Sequence, residues 1–274
     1  VYADIEVKSP KEKTVSVTEA DDLHTINPHD TVQLQNDINM SGQSSPLYMF
    51  TGDFNGNGHT ISNITGPLVG FLSGTVSDLT ISNPNITKSV ELYSGVVSNK
   101  STGRIDNVTV QNKTESILYK DKFGGITAEQ RNGKITGCSV SLNANSSRTL
   151  VGGVCGDAYK SDIKNCTVDM NLTTESGGGV VGKLRKECTV SNCTIEGTYY
   201  YTEVGSSCVG HTNGVGKIRD CTSSSTVQGD KTIGGILGKS NEKTIIQNCE
   251  YKYSNYHIKR HWWWNCWNIK IWSN

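Results

Sequence analysis

Between residues 50 and 251 the apolar side chains recur in short runs with a period of two, broken by Gly, Asn, Asp and Ser. That pattern predicts strands and turns, not helices. The runs are themselves periodic. A block Gly-Gly-apolar-apolar-Gly stands at 152–156, 178–182 and 234–238, with degenerate copies at 67–70, 94–97, 124–127 and 206–210. A β-branched residue follows each copy: Val76, Ile105, Ile135, Ile163, Val190, Ile218 and Ile246, at spacings of 29, 30, 28, 27, 28 and 28. Three positions further on lie Leu79, Val108, Cys138, Cys166, Cys193, Cys221 and Cys249. Two later come Ile81, Val110, Val140, Val168, Ile195, Ser223 and Tyr251.

A unit of about 28 residues with three short strands cannot bury its apolar face alone, so units must stack. The pattern predicts an all-β fold: a right-handed parallel β-helix (β-solenoid) of about 7–8 coils with ~28-residue repeats. The residue before the Leu/Val/Cys column is Asp78, Asn107, Gly137, Asn165, Asn192, Asp220 or Asn248. These types tolerate a left-handed backbone, so a tight turn is expected there, with Asn side chains bonding from coil to coil. The paired glycines mark a bend with no room for a Cβ.

Residues 1–49 lack the repeat. Val15 and Val17 read as one strand, and 32–35 as another. Residues 18–21 open a short helix carrying Leu23 and Ile26. An exposed solenoid end is an unpaired sheet edge, so 1–49 is assigned as an N-terminal cap, with the β-helix at 50–251.

Residues 252–274 break the pattern. Trp262-Trp263-Trp264-Asn265-Cys266-Trp267 holds four of the chain's five Trp. Three Trp codons read one base later spell Gly-Gly-Gly, at the phase where the next glycine block is due. The tail is therefore read as a frame-shifted, non-native stretch, in place of an aromatic cap or a glycan-stacking patch.

The blocks Gly234-Gly235-Ile236-Leu237-Gly238 and Ile246-Gln247-Asn248-Cys249 resemble the GLUG-motif repeat proteins, surface and secreted β-helix proteins similar to filamentous-haemagglutinin-like adhesins. The entry segment Asn36-Asp37-Ile38 and the run from Phe50 to Ile61 resemble the stretch preceding such repeats. The resemblance covers about residues 15–251. It implies an extracellular or cell-surface rod with a pectin-lyase-like fold, part of a longer multi-repeat chain, with glycans or host or cell-surface proteins as partners.

Composition narrows the function further. Lys+Arg and Asp+Glu number 26 each, so the chain carries no net basic field for nucleic acid or anionic membranes. No apolar run approaches the length of a membrane span, so no membrane insertion is expected. Of the nine cysteines, Cys138, Cys166, Cys193, Cys221 and Cys249 form a ladder, while Cys155, Cys188, Cys208 and Cys266 stand outside it. A ladder spreads thiols along a line instead of converging them on a metal, so they are expected as reduced, buried core residues. Asp53-Phe54-Asn55-Gly56-Asn57-Gly58 opens like a calcium loop, but Ile64 stands where the closing Glu belongs. Ten Asn-X-Ser/Thr sequons occur, of which Asn107, Asn165 and Asn192 fall in the turn column.

A carbohydrate-active β-helix enzyme is the competing reading. The string Gly56-Asn57-Gly58-His59-Thr60 resembles the entry coil of pectin-degrading hydrolases, and Val209-Gly210-His211-Thr212 with Lys217-Ile218-Arg219 echoes their His and basic motifs. Such enzymes need carboxylates converging on one face. The pair picked out in the sequence, Asp21-Asp22, lies in the expected cap. The expectation is a non-catalytic stalk or adhesin segment without catalytic residues, cofactors or metals.

Overall fold

A computed structural model describes residues 13–43, 47–86, 93–118, 122–145, 150–252 and 269–272, with the backbone alone at 113–118 and 269–272. Its strands all pair in parallel, one coil on the next. One apolar column runs Val76, Ile105, Ile135, Ile163, Val190, Ile218 and Ile246, each paired with its neighbour in register. A second runs Ile81, Val110, Val140, Val168, Ile195, Ser223 and Tyr251. Both are the columns expected from the repeat. A third face is a separate sheet of eight strands, from Leu47–Phe50 to Leu237–Ser240. The core between the faces is filled by these columns and by Leu79, Val108 and the cysteines.

The seven members of the Leu79-to-Cys249 column bound six turns, fewer than the 7–8 coils expected. The stack nevertheless extends further towards the N-terminus. Val15 pairs with Val32, Val32 with Phe54, and Phe54 with Val76. Ile38 likewise pairs with Ile61, and Ile61 with Ile81. Residues 14–39, assigned from sequence to a cap, thus carry strands of the solenoid itself. Their turns are shorter: Val32, Phe54 and Val76 lie 22 residues apart. Within this region a 3-10 helix spans Ala20–Thr25 and buries Leu23, its start held by a capping box between Glu19 and Asp22.

The paired glycines are explained by close approach. A Cβ on Gly153 would sit 2.2 Å from the Gly179 carbonyl oxygen, and one on Gly179 would sit 2.0 Å from that of Ser207. The coils meet there backbone to backbone.

The left-handed turn column is also present. Asp78, Asn107, Asn165, Asn192, Asp220 and Asn248 have φ between 50° and 56°, and Gly137 has φ 66°. Side-chain amides bond along the stack, always from the later coil to the earlier: Asn107 Nδ2 to Asp78 Oδ1 at 2.7 Å, Asn192 to Asn165 Oδ1 at 2.8 Å and Asn248 to Asp220 Oδ1 at 3.1 Å. Gly137 interrupts this ladder. A Cβ there would meet nothing closer than 3.7 Å. Gly137→Asn is therefore expected to stabilise the fold by at most about 1 kcal/mol, since one added amide contact and a less flexible unfolded chain outweigh the strain of a side chain at φ 66°, which Asn tolerates as its column neighbours do. Thermal melting should rise by about 2–4 °C, and an unchanged or lower midpoint would contradict the ladder's energetic role.

The Trp-rich stretch read as frame-shifted lies mostly outside the described residues. Within the tail, the backbone of Ile269–Trp272 pairs in parallel with Cys249–Lys252.

Candidate functional site

The candidates singled out in the sequence are dispersed over the fold. Asp22 is spent on the 3-10 helix start, where its Oδ2 accepts from the backbone N–H groups of Thr18 and Glu19 at 2.7 and 3.1 Å. In the calcium-like string, Asn55 Oδ1 accepts from the Asn57 N–H at 2.8 Å and Asn57 Nδ2 donates to the Leu34 carbonyl at 2.9 Å. Those side chains hold a turn, and Ile64 is in the core. His211 lies on the eight-stranded sheet, whereas Lys217 and Arg219 lie on a different face. The amides of Asn107 and Asn192 are engaged in the ladder. Among the described residues, no three His, Cys, Asp or Glu side chains group as a metal site.

The eight described cysteines are buried free thiols. Each ladder thiol donates to the carbonyl two residues before it: Cys138 to Thr136 at 3.5 Å, Cys166 to Lys164 at 3.3 Å, Cys193 to Ser191 at 3.4 Å, Cys221 to Arg219 at 3.2 Å and Cys249 to Gln247 at 3.3 Å. That carbonyl precedes the left-handed residue, so cysteine combines a small core side chain with a donor for the turn. Contact with the Cys138 thiol, reinforced by burial, pushes the Cys166 thiol well above its usual range, and Cys166 and burial do the same to Cys193. Thiol reagents should therefore miss Cys166 and Cys193 in the native protein and label both after denaturation. Rapid native labelling of either would contradict the inward register.

The sequence reading did not foresee a charge network on the outer face of the eight-stranded sheet. In its register Lys100, Glu129, Asp157, Lys183, His211 and Lys239 stand on successive strands. Glu129 and Asp157, 5% and 3% exposed, are thus stacked carboxylates one rung apart. Lys122, from a neighbouring strand, reaches both: its Nζ is 2.9 Å from Asp157 Oδ2 and 3.5 Å from Glu129 Oε2. Arg185 grips Asp157 with a fork, Nε to Oδ1 at 2.8 Å and Nη2 to Oδ2 at 2.7 Å. Arg131 Nε donates to Glu129 Oε1. All four carboxylate oxygens are occupied by cations. Burial pushes Lys122 down, but its hydrogen bond to Asp157 and the charges of Asp157 and Glu129 outweigh this and raise it.

Aromatic rings extend the network. Lys100 and Lys122 lie over the Tyr93 ring at 4.4 and 4.8 Å, and Arg131, Lys160 and Lys186 surround Tyr159 at 5.7–6.0 Å. The one signal of this site in the sequence was positional, since Glu129 and Asp157 are 28 residues apart, one repeat period.

Comparison with known proteins places these features. Residues 147–173 match the family model of the GLUG motif. That span contains the strands Val151–Gly152, Cys155–Tyr159 and Asp162–Lys164 and reaches into Thr167–Gly178, which makes up one coil. Over 90 residues the chain is 39% identical to Halomucin of Haloquadratum walsbyi (strain DSM 16790 / HBSQ001), a match covering 29% of this chain and 1% of Halomucin. A crystal structure of a candidate immunoglobulin A1 protease from Bacteroides ovatus superposes with a TM-score of 0.58 at 18% identity, covering 93% of this chain and 76% of that one. A structure titled IgA1 Protease gives 0.57 at 15% identity, over 93% of this chain and 21% of that one. At such identities the two structures share the fold alone. Among the described residues, no helix is long and apolar enough to cross a membrane. The chain is a parallel β-solenoid that carries the GLUG motif, with about six turns between Leu79 and Cys249, and the matched motif is one coil of it.

Proposed function

We propose that this chain is a non-catalytic β-solenoid segment of an extracellular or cell-surface protein, presenting the outer face of its eight-stranded sheet to a glycan or protein ligand. The observation that carries this reading is the state of the stacked carboxylates. A glycosidase-type pair needs one oxygen free to give a proton and another free to take one or to attack. Glu129 and Asp157 have no free oxygen, since Lys122, Arg131 and Arg185 hold all four. What is left exposed is a flat, polar, regularly spaced surface suited to many weak contacts. The GLUG motif and the similarity to part of Halomucin support a place in a large surface protein.

The competing reading, a carbohydrate-active enzyme, would have to use this carboxylate pair and is directly testable. The whole chain is incubated with a panel of plant and host polysaccharides, and new reducing ends are counted. No turnover is expected, together with binding on a glycan or cell-surface-protein array. Turnover that disappears in Glu129→Gln or Asp157→Asn would overturn the proposal.

A further inference from the structure

The face carries an imbalance of charge that the chain as a whole does not. The eight strands hold five Lys or Arg (Lys100, Arg131, Lys183, Arg185 and Lys239) against Glu129 and Asp157 alone, in a chain with 26 of each sign. Both carboxylates are already saturated by Lys122, Arg131 and Arg185. Beyond Asp157 the strands carry cations and no further carboxylate, so Asp157, already gripped by Arg185, is the one acidic neighbour that Lys183 has on this face. Lys183 and Lys239 form no ion pair among the described residues, and His211 Nε2 is buried without a hydrogen-bond partner.

A half-buried ammonium without an ion pair beside a guanidinium costs stability, because its desolvation is only partly offset by the charge of Asp157, which Arg185 already holds. Burial, and then the charge of Arg185, lowers the pKa of Lys183, and the raising charge of Asp157 only partly opposes them. Burial first, then Lys183, Lys239 and Arg185, likewise lower that of His211, against a raising hydrogen bond that the imidazole donates to the Asn241 side chain. A bound anion would relieve each of these.

The geometry also limits the shape of the ligand. Lys183, His211 and Lys239 occupy one register column on three successive parallel strands. Their spacing is roughly 4.8 Å along a straight line, comparable to one sugar unit of an extended chain. Upstream, the same face offers the Tyr159 ring flanked by cations, the combination that accepts a sugar ring beside an acidic group.

Building on the reading of this face as a ligand surface, we propose that the Lys183–His211–Lys239 column, flanked by Arg185, binds the carboxylate or sulfate groups of a linear acidic polysaccharide lying along the solenoid axis.

The test uses the whole chain and measures binding to polygalacturonate, heparin and neutral dextran by calorimetry at low and high salt. Binding to at least one acidic polymer, absent for dextran and weakened by salt, is expected; the polymer preferred tells carboxylate from sulfate recognition. Lys183→Met combined with Lys239→Met should weaken binding by about tenfold or more, the loss of charged hydrogen bonds. Lys217→Met, on another face, should leave it within about twofold. Lys183→Met should not lower the melting temperature, since it removes a half-buried charge that forms no ion pair among the described residues.

Unchanged affinity in the double variant would overturn the proposal. So would failure of both acidic polymers to bind, or equally tight binding of polyglutamate or oligothymidylate. Array ligands that bind regardless of Lys183 and Lys239 would sink this proposal and leave the non-catalytic reading standing. Depolymerisation of a bound glycan would sink that reading instead.

Discussion

Ile163→Asp is expected to leave no cooperatively folded protein under conditions where the parent chain is stable. Ile163 is 1% exposed and sits in mid-stack, with Ile135 on one side and Val190 on the other. The core between the three faces is narrow, so a carboxylate there reaches neither water nor a cation. Burying an unpaired charge exceeds about 4–5 kcal/mol, against a total stability on the order of 5–15 kcal/mol for a domain. Because each coil touches only its neighbours, the damage also severs the stack at its middle. Ile163→Val, which keeps the shape and removes one methylene, should cost only about 1 kcal/mol. Urea denaturation followed by circular dichroism separates the two. A folded Ile163→Asp chain with a normal midpoint would mean that this column faces solvent.

Asp157→Ala is expected to cost about 3 kcal/mol, the second largest effect. Removing this carboxylate strands the Arg185 fork and leaves Lys122, only 19% exposed, with the longer contact to Glu129 alone. Breaking one partner of a buried pair costs more than the pair is worth, because the remaining charge stays desolvated. Arg185 is 37% exposed and can turn to water, which keeps the effect at the low end of the range. Glu129→Ala should cost less, since its partner Arg131 is already 53% exposed. Replacing Asp157, Lys122 and Arg185 together by Leu, Met and Leu should recover most of the loss. If Asp157→Ala proves neutral and the triple replacement gains nothing, the network carries no structural weight.

The legible part of this molecule was the part written in inward-facing residues. A β-branched residue every 27–30 positions, followed by Leu, Val or Cys, can only mean stacked coils, and every pairing it implied from Val76 to Ile246 is present. The first turns were hidden because the period itself changes there. Val32 and Phe54 belong to the same column as Val76 but are 22 residues apart, so a search at 28 passes over them. The charge network was hidden for another reason. Outward positions carry no constraint on residue type, and Glu129, Asp157 and Lys183 look like unrelated surface charges until the register sets them on consecutive strands. Lys122 comes from a different face, and no spacing along the chain announces its reach to Asp157. Searching the outward positions at the period already found for the core would have stacked Glu129 on Asp157.

The direction of the rung-to-rung hydrogen bonds has a mechanical consequence. They run along the axis of the rod, so a pull between its ends loads every junction with the same force. Resistance is then set by the weakest junction. The pairing of Ile38–Asn39 with Thr60–Ser62 involves two residues on its face, whereas Thr167–Gly178 is bonded along most of its length to Thr194–Ser206. Yielding would begin among the short 22-residue turns, each releasing slack on the order of 70 Å as it peels away. Such a rod lengthens step by step, one coil at a time, while the central coils that carry the charged face keep their shape.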